Sequence, residues 1–209
     1  VSRLNVAPTK SNQLELKRDL AMATEGFNLL EQKREILVME LMRLLDRVRQ
    51  AQKEVRACRE RAYDTLRQAV ARNGSQRLRS VAGGIHYEHN VRTGTHVVAG
   101  VRVPQIEVQQ GEFHSQFGFG GTDTLTDDTM AQFLELLGAV GKLAELETAA
   151  WLLARELRKT QRRVNALEQI FIPDYEDTLH YIGETLESKD LESFFVLKMV
   201  KKNKAKSRG

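Results

Sequence analysis

Three groups of residues in this chain have types and spacings that could do chemistry. His86 and His89 stand three apart and could begin a metal site. Residues three apart on a strand point to opposite faces, however, and no third ligand has suitable spacing. Gly138-Ala-Val-Gly-Lys142-Leu143 carries the glycines and lysine of a phosphate-binding loop. Its glycines are too close together, and Leu143 stands where Ser or Thr would hold magnesium, so helix interior is the better reading. Cys58 is the single cysteine, so no internal disulfide can form. It has no neighbouring base in the sequence and falls in an apolar stripe, where a small buried thiol is expected. Gly-x-Ser-x-Gly is absent. The expectation is a chain with no catalytic residues, no cofactor and no metal, and hence not an enzyme by itself.

The elements behind these residues are clearer. Residues 16 to 69 hold a stripe at alternating steps of four and three: Leu16, Leu20, Ala23, Phe27, Leu30, Arg34, Leu37, Leu41, Leu44, Val48, Ala51, Val55, Cys58, Ala62, Thr65 and Ala69. Only Arg34 and Thr65 break its apolar character. A repeat averaging about 3.5 residues keeps one narrow seam facing a partner helix. The helix is predicted to open near Ser11 or Asn12, with Asn12 and Glu15 as a capping box, and to stop at Asn73-Gly74. Gly26 lies inside it at a cost of up to about 1 kcal/mol against Ala.

From about 73 to 126 the composition changes to glycine, valine and Pro104. Ile85, Tyr87, His89 and Val91 alternate with polar residues, which is strand periodicity. Thr93-Gly94 is a turn candidate, His96 to Val103 reads as the second strand, Pro104 as its end or edge, and Gly118 to Gly121 as the return. Helical periodicity resumes after Asp127 and Asp128, through Leu136, Val140, Leu143, Ala150, Ala154, Leu157, Val164, Phe171, Tyr175 and Ile182. Trp151 is expected to be a packing anchor on this helix. Pro173 lacks an N–H and clashes with the preceding turn, so a kink is predicted near Phe171–Pro173.

The predicted fold is mainly α: a long antiparallel two-helix coiled coil with a small β-hairpin insert. Its parts are an N-terminal helix over 10–72, the insert over 73–126, a C-terminal helix over 127–200 and a basic tail over 201–209. Pairing the helix ends sets Arg34 opposite 166–175. Glu168 or Asp174 would then neutralise it across the seam, or its guanidinium would reach water along the seam edge.

Charge adds a constraint. The chain is formally +4, but Lys198, Lys201, Lys202, Lys204, Lys206 and Arg208 supply +6 in its last twelve residues, leaving residues 1–197 at −2. A nucleic-acid binder spreads a basic face over its fold, so no nucleic-acid partner is expected. No apolar run reaches the roughly 18–20 residues that span a bilayer, so no direct membrane insertion is expected. Val1-Ser2-Arg3-Leu4 does not read as a secretory signal, and a cytoplasmic location is expected.

Thr160-Gln-Arg162-Arg163-Val164-Asn165-Ala166-Leu167-Glu168-Gln-Ile-Phe-Ile172-Pro173, continuing to Thr178-Leu-His-Tyr-Ile182, resembles the C-terminal helix of the D subunit of V-type and A-type rotary ATPases. Pro8-Thr9-Lys10, then Gly26, Asn28-Leu29-Leu30 and Lys33-Arg34 resemble its N-terminal helix, and Val98-Ala99-Gly100-Val101 with Pro104 its middle region. The resemblance implies a central rotor shaft that couples ATP hydrolysis or synthesis to ion translocation across the membrane. Its partners would be the ring of catalytic A and nucleotide-binding B subunits, the small F subunit of the rotor, and the socket protein (the C or d subunit) on the membrane rotor. The shaft would be peripheral to the membrane. A shaft that turns without a permanent grip should carry a polar, charged outer face. Candidate ring contacts are Lys10, Arg162, Arg163, Lys198, Lys201 and Lys202. Pro173 could make the shaft eccentric, as a cam requires, or be geometry without a role. The alternative is a coiled-coil adaptor or scaffold of another family, which has no reason to carry the Arg162–Pro173 stretch.

Overall fold

A computed structural model of the chain describes residues 3–85, 90–109 and 123–206; His86, Tyr87, His89, Gly118 to Gly121 and the side chains of 204–206 lie outside the described residues. In order, the elements are α1 (Lys10–Asn73), α2 (Ser75–Gly84), β1 (Asn90–Val98), β2 (Val101–Gln109), α3 (Thr124–Ala166), a π-helical turn (Leu167–Phe171) and α4 (Ile172–Lys206). The fold is mainly α, with two long helical stretches and one antiparallel hairpin. Three boundaries differ from expectation. The short helix α2 follows the stop at Gly74, α3 opens at Thr124, and α4 continues to Lys206. Thr9, and not Asn12, caps α1: its Oγ1 accepts the Asn12 N–H at 3.3 Å, while Asn12 Nδ2 reaches back to the Ala7 carbonyl at 2.8 Å. A cap hydroxyl bonding the third helical N–H satisfies one of the orphan donors at the helix start.

None of the sixteen seam positions of α1 is exposed. They divide between two compact units, Val1–Glu35 with Arg158–Gly209, and Ile36–Leu157. In the second unit Leu37, Leu44, Val48 and Ala51 of α1 meet Leu146, Ala149 and Leu153 of α3 and Val103 of β2. The two helices run antiparallel there, since Gln52 bonds Glu147 at 2.9 Å, Arg61 bonds Glu135 at 2.8 Å and Asn73 bonds Asp123 at 2.9 Å. Each fully buried Leu or Val is worth about 1.5–3 kcal/mol relative to exposure. The α3 seam departs from the predicted one. Its centre is Leu146, Ala149 and Leu153, while Val140 and Trp151 are exposed. Trp151 is therefore not a packing anchor; it is 61% exposed with the Arg155 guanidinium 5.7 Å from its ring.

The hairpin also corrects the sequence reading. Thr93 and Gly94 sit inside β1, and the turn is Ala99-Gly100, with φ of 50° and 78°. Positive φ at both central residues marks a type I′ turn, whose twist suits a two-residue hairpin, and Gly100 adopts it without strain. The closing pair Val98↔Val101 sets the register, so Thr95↔Pro104 and Thr93↔Ile106 are non-hydrogen-bonded pairs. Pro104 thus has its nitrogen on the outer edge of β2, where the missing N–H costs no ladder bond. The Ile106 N–H also points outward, and the Glu145 carboxylate of α3 accepts it at 2.8 Å. β2 lies so close to α3 that a Cβ at Gly141 would collide with Val108.

In the first unit Leu16, Val164 and Ile182 are buried with Thr160 and Thr178. The Thr178 hydroxyl donates to the Asp174 carbonyl at 2.6 Å and accepts the Leu4 N–H at 3.1 Å, so its burial leaves no lone polar atom. At the expected interruption before Pro173 the helix widens. The Ile172 N–H bonds the Leu167 carbonyl, five residues back. Pro173 cannot donate, and its ring would strike the carbonyl four residues earlier in an α-helix, so a π turn absorbs the proline without ending the helix.

Two glycines give opposite expectations. Gly141→Ala should lower Tm, because overpacking against Val108 costs about 1–3 kcal/mol and outweighs the helix-propensity gain; adding Val108→Ala should recover most of it. Gly26 has open space where a Cβ would sit, so Gly26→Ala should raise Tm by the equivalent of up to about 1 kcal/mol. Thermal melts of the parent chain and these three variants check both statements.

Candidate functional site

The ten residues put forward as ring contacts, seam pair or kink all fall in the unit formed by Val1–Glu35 and Arg158–Gly209. The structure brings few of them together. Lys10, at the start of α1, pairs with Asp190 of α4 at 3.4 Å, both side chains largely exposed. An exposed pair of this kind is worth at most about 1 kcal/mol. Arg162 and Arg163 are exposed on α3, and the Arg162 Nε donates to the Arg158 carbonyl at 3.4 Å. Lys198, Lys201 and Lys202 are exposed on α4 and share one face by their three- and four-residue spacing. They lie about ten helical turns from Arg162, so the six cations do not form one patch.

Arg34 is half-buried in the seam. Its Nε stands 2.8 Å from Glu31 on its own helix, and its NH1 group donates to Gln161 Oε1 at 3.3 Å. Gln161 thus occupies the place expected for Glu168 or Asp174, about two turns earlier in the chain. The partner helix presents a neutral amide, and the charge is balanced from within α1. Helix-end pairing misjudged the register because α4 runs past the point that Lys10 reaches.

That overhang is the feature sequence reasoning missed. The expectation was a polar outer face with few apolar groups. Beyond Asp190 the structure instead exposes Leu191, Phe194 to Leu197, Met199 and Val200, seven large apolar residues in ten, each 49–70% accessible. They surround the helix, since four of them are consecutive, and Phe194 and Phe195 meet edge to face at 6.4 Å. A helix apolar on every side is the kind that a partner or a core covers. The available signal was the absence of any charged residue from Ser193 to Leu197 in a chain that is 29% charged.

The remaining polar clusters join helices within the Ile36–Leu157 unit. Lys142, the lysine of the phosphate-loop lookalike, is on α3 and pairs with Glu54 at 3.5 Å. Cys58 is buried, with its Sγ 3.3 Å from Arg61 and 3.8 Å from Glu135. The contact with Cys58, with Glu135 adding its charge, raises the Arg61 pKa, so this guanidinium stays protonated. Among the described residues no three His, Cys, Asp or Glu side chains cluster as metal ligands would.

Asp123 ties the end of α1 to the start of α3. Asn73 Nδ2 donates to its Oδ1 at 2.9 Å, the Thr126 hydroxyl lies 3.4 Å from the same oxygen, and Arg72 Nε is 3.3 Å from Oδ2. The Asn73 bond is the main cause of a lowered Asp123 pKa, helped by Thr126 and Arg72 and opposed by desolvation. A carboxylate with a depressed folded pKa stabilises above its unfolded value and loses that contribution as pH falls through the folded one. Asp123→Ala should therefore lower Tm at pH 7, and the gap from the parent chain should close as pH falls below about 4, the ordinary carboxylate range.

Comparison with known proteins follows the same geometry. The family model for the D subunit of ATP synthase matches residues 12–202. The chain is 34% identical to the V-type ATP synthase D subunit of Thermotoga neapolitana, over 97% of this chain and 100% of that protein. It is 35% identical to the A-type ATP synthase D subunit of Pyrococcus horikoshii, over 95% and 94%. It is 37% identical to the D 2 subunit of the V-type ATP synthase of Treponema pallidum, over 95% of each.

Proposed function

The chain belongs to the ATP synthase D subunit family, and on that premise we propose that it is the central rotor shaft of a V/A-type rotary ATPase. It is non-catalytic and couples ATP hydrolysis or synthesis in the catalytic ring to ion translocation in the membrane. Its proposed partners are the catalytic A and nucleotide-binding B subunits, the small F subunit of the rotor and the socket protein (the C or d subunit). Among the described residues no helix is long and apolar enough to cross a membrane, which supports a peripheral place in the complex.

The observation that carries this reading is the bare end of α4. Its apolar surface suits a sleeve lined by surrounding subunits, because dispersion and burial hold a smooth greasy shaft centred without fixing its rotational angle. Lys198, Lys201 and Lys202 lie within and beyond the apolar stretch. Charge attraction from acidic ring loops would guide this end without locking it, since such forces are long-ranged and screened by salt. Rotation of the shaft then favours different conformations of the ring sites in turn, a coupling of free energies between sites. The π turn before Pro173 interrupts the regular α-helix, and in this reading it is where the shaft becomes eccentric, as a cam requires.

Mixed with the A and B subunits, the full chain should co-purify with a hexameric ring at one copy per ring. Phe195→Asp with Leu197→Asp should reduce incorporation at least tenfold while leaving the helical circular dichroism intact. Removal of residues 203–209 should leave incorporation unchanged. Incorporation of the double variant at the parental level would refute the sleeve. In single-molecule rotation, Pro173→Ala should lower the rotation produced per ATP hydrolysed; unchanged coupling would remove the cam role from this turn.

A further inference from the structure

The two edges of the hairpin are treated differently. On the outer edge of β2, Pro104 offers no N–H and Glu145 takes the Ile106 N–H. The register turns the N–H and C=O groups of Val91, Thr93, Thr95 and Val97 outward from β1. Among the described residues none of these groups has a partner, and every side chain from Asn90 to Val97 is exposed. This edge has no proline, no bulge and no lysine, and Arg92 is its one charged residue. Val91 and Val97 are 55% and 65% exposed. Their β-branched shapes, with those of Thr93 and Thr95, suit a neighbouring strand.

The opposite face of the ribbon adds a charge requirement. Arg92 and His96 lie on the face of Val103; Glu107 of β2 stands opposite Arg92, and β1 itself contains no acid. Below His96 a groove of about 260 Å³ has an apolar floor of Leu44, Val98, Val103 and Leu146, with Glu40, Arg43, Arg47 and Glu145 as its charged lining; Glu145 is engaged by the Ile106 N–H. Neither Arg47 nor His96 has a hydrogen bond or ion pair among the described residues, whereas the neighbouring Arg43 is paired with Glu40 at 3.2 Å.

The geometry points to β1 as a strand-addition site for an extended acidic segment of another subunit, with a carboxylate seated between His96 and Arg47. The added strand would satisfy the four outward residues of β1 through its backbone and choose its partner through charge. Gly94, between Arg92 and His96, leaves room for a side chain of the added strand. A second copy of this chain is the poorer occupant, because its β1 has no carboxylate to place between His96 and Arg47. The inference rests on the proposed assembly with other subunits.

The test is residue-resolved amide exchange in the free full-length chain and in the chain assembled with its partner subunits. The Val91, Thr93, Thr95 and Val97 amides should exchange freely in the free chain and at least a hundredfold more slowly in the complex. The inward Arg92, Gly94 and His96 amides should be slow in both. Arg47→Glu should cut the gained protection at least tenfold and leave the inward amides unchanged. Outward amides equally fast in chain and complex would overturn the inference alone. Outward amides already protected in the free chain would do the same, whether sedimentation finds a monomer covering its own edge or a dimer. A chain that joins no assembly overturns the rotor reading as well.

Discussion

Everything in this chain depends on burying a stripe only one side chain wide. A two-helix pair has no second layer, so each unit is held by a short ladder of Leu, Val, Ala and Thr between α1 and its antiparallel neighbour. Such a seam cannot tolerate a large or unpaired group. Arg34, its one charged member, is accepted because Glu31 and Gln161 both reach it. Thr178 is accepted because its hydroxyl both donates and accepts. Apolar side chains outside the seam, such as Leu29, Met39 and Met42 of α1 and the seven at the end of α4, are left exposed by this economy.

The same economy explains the departures from regular helix. Pro173 would break the ladder of a single helix, and the π turn before it keeps the chain helical while conceding one wide turn. The hairpin adds the second layer that part of the Ile36–Leu157 unit otherwise lacks, with Val103 joining the Leu44 and Leu146 cluster. Gly141 lets β2 approach, and Glu145 receives the backbone donor on the outer edge of β2 that the approach brings against α3. These fit together as one docking arrangement of strand on helix.

Much of this was legible in the sequence. All sixteen α1 seam positions followed from a four-three count, because periodicity reports directly which side of a long helix is buried. The misreadings share a cause, which is that tertiary partners decided between equal local signals. Thr93-Gly94 read as the turn and His96 to Val103 as one strand, whereas the chain turns at Ala99-Gly100 and β2 docks on α3. Trp151 looked like an anchor, yet the α3 seam passes through Leu146, Ala149 and Leu153 and leaves the indole outside. The place opposite Arg34 was misjudged because the helices are not flush. Residues 191–200 were covered by no periodic reading beyond Ile182, and α1 begins opposite Asp190 and leaves them uncovered. Helix α2 carries no seam and buries none of its residues, so it left no periodic trace. The candidate site was thus visible as residues but not as an unpaired helix end.

The rotor reading stands on the claim that the apolar end of α4 is covered by other subunits in the working complex. Hydroxyl-radical footprinting of Phe194 and Phe195 tests it directly, by comparing their oxidation in the isolated chain and in the intact ATPase. Rapid modification of both rings in the free chain and strong protection in the complex are expected. Equal modification in the two states would contradict the claim.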